Sequence, residues 1–449
     1  MPDTALNKNG LVFNDIDNNC GMVLDPDNVF WGIIPKNENA NPLLPREIIS
    51  RYEKVKDGLD KELQEFRFSY NLTAVYINPT DRCNADCPYC YIPSRMRKSG
   101  RSMTEEELEY IFKKIIRHFR GSEKKPVIIF HASEPLMVKD IIFKAIVKYK
   151  DRFHFGLQTN GILLKESDVD FLKKHNVGVG ISLDSFVPEV NNRLRRTTKG
   201  QGNFSKAVEA IEYFQGYDRL NVITTVTKLN VTDLPALVEF LHAKKVSSVL
   251  LNPIRMTQKG ARVLRPDEDV LTVYFKKAVD KAIELSRSSK HGIIISNFAN
   301  IILGIIAPSA RRLMCDISPC GGGRCFLTIT PSGNMIPCGE FIGLKGFSGG
   351  NIFNTTISRA MKSSAFKKVR SRVVEKIAEC NVCEFRNICG APCPAELYSL
   401  GDMCKKAVFC EFYKEMIRYG FKLISEKKEK YLFRKEAFGN IKYEYRFEI

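Results

Sequence analysis

Short runs of β-branched and aromatic residues alternate with longer amphipathic stretches through the middle of the chain. The runs at 73–78 (TAVYIN), 126–130 (PVIIF), 153–159 (FHFGLQT), 177–183 (VGVGISL), 220–226 (LNVITTV) and 246–252 (VSSVLLN) predict six strands. Between them apolar residues recur at helical spacing, as in 203–214 (NFSKAVEAIEYF) and 104–119 (TEEELEYIFKKIIRHF), where Thr104 followed by Glu107 makes a capping-box pattern. Strand and helix repeated in this way predict a parallel sheet with right-handed crossovers, either an open doubly wound sheet or a partial (β/α) barrel. Both architectures place ligands at the C-terminal ends of the strands.

The ends of the chain break this rhythm. The segment GMVLDPDNVFWGII (21–34) reads as a strand or hairpin, and a helix is expected from about Pro45 to Phe66. Such a piece can pack against the barrel or hold a peptide by strand addition. Near residue 310 glycine and cysteine become dense and the alternation stops. The expected organisation is therefore an N-terminal extension (1–68), a core (69–290), a cysteine-rich domain (291–415) and a C-terminal helix and tail (416–449). Residues Gly292 to Ala310 carry no charge and approach the length of a membrane span. Ser296, Asn297 and Asn300 interrupt them, and Gly292 and Pro308 bound them, which predicts a buried strand running into a helix.

Composition narrows the chemistry. The opening MPDTALNKNG lacks the apolar core of a secretory signal, which points to a cytoplasmic chain. Fourteen cysteines in a reducing compartment favour metal ligation over disulfides. The net charge of +18 suggests either a solvated basic surface or a polyanionic partner. A zinc-rich nucleic-acid binder would gather its Lys and Arg into a stripe interleaved with aromatics. Here they are dispersed, so neither nucleic acid nor membrane is expected as a partner.

Four motifs fall at one edge of the predicted sheet. TDRCNADCPYCYIPS, with Cys83, Cys87 and Cys90, follows the first strand; HASEP follows the second, TNG the third, and LDS ends the fourth. The next cysteine is Cys315, so the trio has no fourth thiol nearby. Structural zinc is closed by four ligands, and a catalytic zinc on three thiolates would be a poor Lewis acid. An iron–sulfur cube held by three thiolates leaves one iron open to a ligand that is not protein. Ten further cysteines lie between Cys315 and Cys410, enough for two four-ligand centres.

CNADCPYCY resembles the signature of the radical S-adenosylmethionine (SAM) enzymes. The resemblance implies that the open iron chelates SAM, whose reductive cleavage yields a 5′-deoxyadenosyl radical that abstracts hydrogen. HASEPL (131–136) is similar to that family's Gly-Gly-Glu-Pro motif, with Ala132 and Ser133 in place of the glycines. By the same resemblance Glu134 would accept from the SAM ammonium, Asn160, Ser182 and Asp184 would contact SAM and its ribose, and Arg195, or next Arg196, would meet its carboxylate.

The run Cys380-x₂-Cys383-x₅-Cys389-x₃-Cys393, preceded by Gly333-x₄-Cys338 and followed by a late cysteine, resembles the SPASM extension, which binds two auxiliary clusters. That implies Cys320, Cys325, Cys338 and Cys393 for the first and Cys380, Cys383, Cys389 and Cys410 for the second, three [4Fe–4S] clusters in all. Cys20, Cys315 and Cys404 are then spare, and Cys315 or Cys404 replacing Cys325 would shift the first set by one. Without Cys325 or a replacement, one iron of that cluster would stand open to a substrate thiolate. The implied fold is a partial (β/α)₆ TIM-like barrel with a C-terminal SPASM domain and a short N-terminal α+β extension.

Enzymes with this extension mostly modify peptides, so the expected activity is that of a radical SAM maturase. It would install a thioether or related crosslink in a ribosomally made precursor, with a ferredoxin or flavodoxin as reductant. The alternative is a sulfatase-maturating or small-molecule radical SAM dehydrogenase. The sulfatase-maturing group carries Asp after the cysteine corresponding to Cys338; here Gly339 stands there and Glu340 follows.

Overall fold

The computed structural model describes residues 10–36 and 45–434, so the expected extension (1–68) and tail (416–449) lie partly outside the described residues. Strands β1 (Val12–Asp15), β2 (Cys20–Leu24) and β3 (Trp31–Pro35) form an antiparallel meander, and a helix follows over Arg46–Phe68. The meander packs on the C-terminal half of the chain. Trp31 Nε1 donates to the Ile305 carbonyl at 2.8 Å, Asn387 Nδ2 donates to the Pro26 carbonyl at 2.8 Å, and Arg386 pairs with Asp27 at 2.5 Å.

All six strands expected in the core are present: β4 (Ala74–Ile77), β5 (Val127–Phe130), β6 (His154–Thr159), β7 (Gly178–Ser182), β8 (Leu220–Val226) and β9 (Ser248–Pro253). They pair parallel in chain order. Their residues divide by the two-residue period of a strand. Ile128, Phe130, Leu157, Val179, Val222 and Leu251 are buried, while Gln158, Ser182, Ile223, Thr225, Leu250 and Asn252 line an interior cavity. Helices cover the outer face, and the one at Glu105–His118 begins with the expected capping box: Glu107 N–H donates to Thr104 Oγ1 at 3.2 Å and Thr104 N–H to the Glu107 carboxylate at 3.0 Å.

The sheet extends beyond the six. Strand β10 (Ile294–Ile295) pairs parallel with β9 and runs straight into the helix Ser296–Ile306, the strand-to-helix passage expected for the uncharged segment. That helix is buried from Phe298 to Ile306, which explains its lack of charge, and no helix among the described residues is long and apolar enough to cross a membrane. On the other edge, β11 (Phe326–Ile329) lies parallel to β4, and β12 (Met335–Ile336) pairs antiparallel with β11. The nine-stranded order β10-β9-β8-β7-β6-β5-β4-β11-β12 thus joins the cysteine-rich part to the first strand of the partial barrel.

Candidate active site and cluster-binding thiols

The loop after β4 turns Cys83, Cys87 and Cys90 toward a cavity of about 370 Å³ at the C-terminal ends of the strands. Its shape is held by Arg97, a buried residue of the short helix Ser94–Ser99. The guanidinium donates to the carbonyls of Ile92 and Ala85, both at 3.1 Å, and pairs with Asp86 at 2.9 Å, while Cys83 N–H donates to the Arg97 carbonyl at 3.0 Å. Burial pushes the Cys83 thiol up to about 12 and the Cys87 thiol to about 11, and the Glu134 charge adds to the first. Thiols in such surroundings are neutral until a metal's positive charge replaces their protons, which fits ligation rather than free nucleophilic chemistry. Among the described residues no group of three or more His, Cys, Asp or Glu could hold a single metal ion. The thiols surround a shared space instead, as ligands of a cluster do.

Glu134 follows β5 and is fully buried behind the cavity wall. Its carboxylate accepts from Leu136 N–H at 3.0 Å, Thr159 Oγ1 at 2.8 Å and Asn160 N–H at 2.8 Å. Burial raises it to about 7 against the pull of those three donors. Its two preceding residues, Ala132 and Ser133, line the cavity and have φ of 72° and 48°. The left-handed loop that two glycines would take without strain is therefore kept by residues that pay for it. Ser133 Oγ anchors it by donating to the Asp81 carbonyl at 2.8 Å.

Asn160, directly after β6, donates from Nδ2 to Asn84 Oδ1 at 2.7 Å, which ties the end of β6 to the cysteine loop. Ser182 lines the cavity at the end of β7. Two residues on, Asp184 is fully buried: it pairs with Arg195 at 2.9 Å, accepts from Thr225 N–H at 2.9 Å and takes a hydrogen bond from Tyr89 Oη. The Arg195 guanidinium also lies 5.7 Å from the Tyr89 ring centre. Burial opposes the charge on Arg195, and Asp184 is foremost among the neighbouring groups that together keep the guanidinium ionised. Of the two candidate arginines, Arg195 faces the cavity, whereas Arg196 is exposed and donates to the Asp86 carbonyl.

The same cavity is lined by Cys315, Cys320, Cys338 and Cys393. Cys325, expected beside Cys320, is buried away from that wall, because it precedes β11 by one residue while Phe326 takes the inward position. The structure thus gathers Cys315 with Cys320, Cys338 and Cys393, and leaves Cys325 outside the group. In the remaining expected set burial raises Cys380, Cys383 and Cys389, with a smaller push from Cys410 at each of them and a larger one from Glu384 at Cys383, which puts Cys410 within electrostatic reach of the other three. Cys404 is exposed, and Cys20 lies beside Asp17 in the N-terminal sheet.

Three further cavity residues are Tyr91, which follows Cys90; His131, which follows β5; and Arg255, which follows β9 and pairs with the buried Glu396 at 3.3 Å. Tyr91 and His131 fall inside the sequence motifs, which assign them no role, and Arg255 carries no local pattern. Glu340 lines the same wall, raised to about 7 by burial against the opposing charge of Arg255.

Family models agree with this geometry. The radical SAM superfamily model matches residues 77–241, and the iron–sulfur cluster-binding domain model SPASM matches residues 320–384. An uncharacterized protein of Archaeoglobus fulgidus is 45% identical over 394 residues, 88% of this chain and 89% of its own. A cysteine-type anaerobic sulfatase-maturating enzyme of Clostridium perfringens is 25% identical over 361 residues, 76% of this chain and 93% of its own. Among solved structures, anSMEcpe with bound AdoMet and a Cp18Cys peptide superposes with a TM-score of 0.68 at 21% identity, covering 80% of this chain and 99% of that one. Streptococcus suis SuiB bound to its precursor peptide SuiA gives 0.59 at 15% identity, with 90% and 98% covered.

Proposed function

The chain belongs to the radical SAM superfamily and carries a SPASM iron–sulfur cluster-binding domain, and from that premise we propose that it matures a ribosomally made precursor peptide. The observation that carries the proposal is the one cavity lined both by Cys83, Cys87 and Cys90 and by Cys315, Cys320, Cys338 and Cys393. A substrate seated there lies between two redox centres and is screened from water on the barrel side. When bound, the clusters and SAM supply the hydrogen-abstracting radical and a path for electrons.

The chain's own residues position. Cys83, Cys87 and Cys90 would hold the SAM-binding cluster. Arg195, fixed by Asp184, would meet the SAM carboxylate, with Asn160 and Ser182 beside it. Glu134, expected to accept from the SAM ammonium, has its oxygens taken by Leu136 N–H, Thr159 Oγ1 and Asn160 N–H and would instead brace the Ala132–Ser133 loop and the end of β6. Two auxiliary clusters would be held by Cys315, Cys320, Cys338 and Cys393 and by Cys380, Cys383, Cys389 and Cys410. The edge of β1, unpaired among the described residues, offers strand addition to a leader peptide, and the excess of basic residues suits an acidic leader and an acidic electron donor such as a ferredoxin or flavodoxin.

The product would be a thioether or related crosslink. Similarity to the sulfatase-maturating enzyme favours a second reading, oxidation of a sulfatase residue, against which Gly339 stands where that group carries Asp. Anaerobically purified protein should be brown and release 5′-deoxyadenosine with SAM and reductant, and Cys83→Ala, Cys87→Ala and Cys90→Ala should each abolish release. Co-expression with a short cysteine-rich reading frame adjacent to the gene should give a peptide lighter by pairs of hydrogens. Colourless, iron-free protein would sink the radical reading, and a sulfatase peptide converted in its place would select the second.

A further inference from the structure

Between the two auxiliary sets of thiols the chain buries an arginine. Three residues before Arg372, Val369 packs in the apolar group that Cys320, Cys338 and Cys393 border; two residues after it, Val374 packs with Cys380. Arg372 itself is 4% exposed. Its guanidinium donates from Nε to the Met403 carbonyl and from Nη2 to the Lys405 carbonyl at 3.0 Å, and Met403 belongs to the same apolar group as Val369. Both partners are neutral, and no carboxylate among the described residues pairs with this cation. Burial works against its charge, and the groups that favour it are Cys320, Cys393, Cys380 and Cys404. In return Arg372 favours the thiolate at Cys320 and at Cys380, one thiol from each set. A buried cation without an anion is costly, and ligated thiolates on either side would supply the missing charge.

Other charged groups near these thiols are answered within the chain or face one set. Arg255, beside Cys393, is paired with the buried Glu396, and Arg67 is paired with Glu375. Arg324 acts with Cys325 and Cys320, on the side of the first set alone. Asp316 reaches Cys315 and Cys389, one thiol of each set, but Arg255 and Arg311 answer its charge. Arg372 is thus a cation left uncompensated between the sets.

We propose that Arg372 is a positioning residue whose charge is shared by the two auxiliary clusters, favouring the reduced form of each and raising both reduction potentials together. The inference rests on the ligand sets proposed above. Reduction adds one negative charge to a cluster, and a fixed cation in a buried, weakly screening site stabilises that charge more than water would. The guanidinium keeps its proton throughout, so the effect is electrostatic and not a proton transfer. The SAM-binding cluster lies outside this influence: the cations that act on Cys87 and Cys90 are Arg195 and Arg97.

The test is a potentiometric titration of the anaerobically reconstituted full chain, followed by electron paramagnetic resonance. The auxiliary midpoints are read in a Cys83→Ala/Cys87→Ala/Cys90→Ala background, and the SAM-binding cluster is read in the otherwise wild-type chain by its response to added SAM. Arg372→Gln should lower both auxiliary midpoints, each by about tenfold in the reduction equilibrium, or ~59 mV for a one-electron step, and leave the SAM-binding cluster where it was. Arg372→Lys, which keeps the charge, should restore most of the shift. Movement of one auxiliary midpoint or of neither, an equal fall at the SAM-binding cluster, or a lysine variant that falls as far as the glutamine variant would overturn the inference. Should Arg372→Gln lose iron, Arg372→Lys decides: wild-type midpoints support the shared charge, whereas lowered midpoints or loss of iron in this variant too would make Arg372 a structural residue only. The ligand sets are judged separately, by the iron and sulfide content of Cys320→Ala and Cys380→Ala. Wild-type iron in those variants would remove the ligand reading, while unmoved midpoints in an iron-replete Arg372→Gln protein remove the shared charge alone.

Discussion

At the scale of single residues, the first auxiliary set is where sequence spacing and geometry part. Cys325 is as near to Cys320 along the chain as Cys315 is, and spacing alone cannot choose between them. One residue of strand register does choose, turning Phe326 inward and Cys325 away. Cys315→Ala should therefore lower the iron and sulfide content of reconstituted protein by one cluster, whereas Cys325→Ala should leave both unchanged; the reverse pattern, read by iron analysis and electron paramagnetic resonance, would restore Cys325 to the set. Ala132 offers a second test. At φ 72° its methyl group costs about 1 kcal/mol that glycine does not, partly offset by the greater freedom of glycine in the unfolded chain. Ala132→Gly should thus hold or raise Tm by up to about 2 °C with 5′-deoxyadenosine release retained. Ser133→Gly should gain less, because it also loses the hydrogen bond to the Asp81 carbonyl.

At the scale of elements, what was legible follows from how much local pattern each element carries. The six core strands announce themselves because parallel strands buried under helices are rich in β-branched and aromatic residues, and because Gly, Asn and Pro punctuate their ends. Strand β10 was legible only as the start of the uncharged segment that runs into a helix, whereas β12 spans two residues and β11 sits in a glycine- and cysteine-rich stretch, so no periodicity marks those two. The thiol motifs were legible for the same reason the strands were, as dense local pattern. Arg97 and Arg255 were not, since Arg97 works through Ile92, Ala85 and Asp86 at no regular spacing and Arg255 through Glu396, far along the chain. The capping box shows local pattern at its most dependable: Thr104→Ala should cost about 1 kcal/mol by removing the bond to Glu107 N–H, measured by chemical denaturation, with SAM cleavage intact because the helix Glu105–His118 lies on the outer face.

At the scale of the whole molecule, the cysteine-rich part is not a bead on a string. β11 shares its hydrogen bonds with β4, the strand that leads into the Cys83 loop, and the N-terminal meander is pinned to the same half through Trp31, Asp27 and Asn387. The eleven thiols of the three proposed sets are all raised by burial and stay neutral without metal, whereas cluster binding would add ligation free energy to the folded state alone. Stripping iron and sulfide should therefore lower thermal stability across the entire chain. Because the sheet is continuous from β10 to β12, the loss should show as one cooperative transition moved to lower temperature. Two separated transitions in the stripped protein, with the barrel unchanged, would mean that the β4–β11 pairing does not couple the halves and that the shared cavity is held together by the clusters themselves.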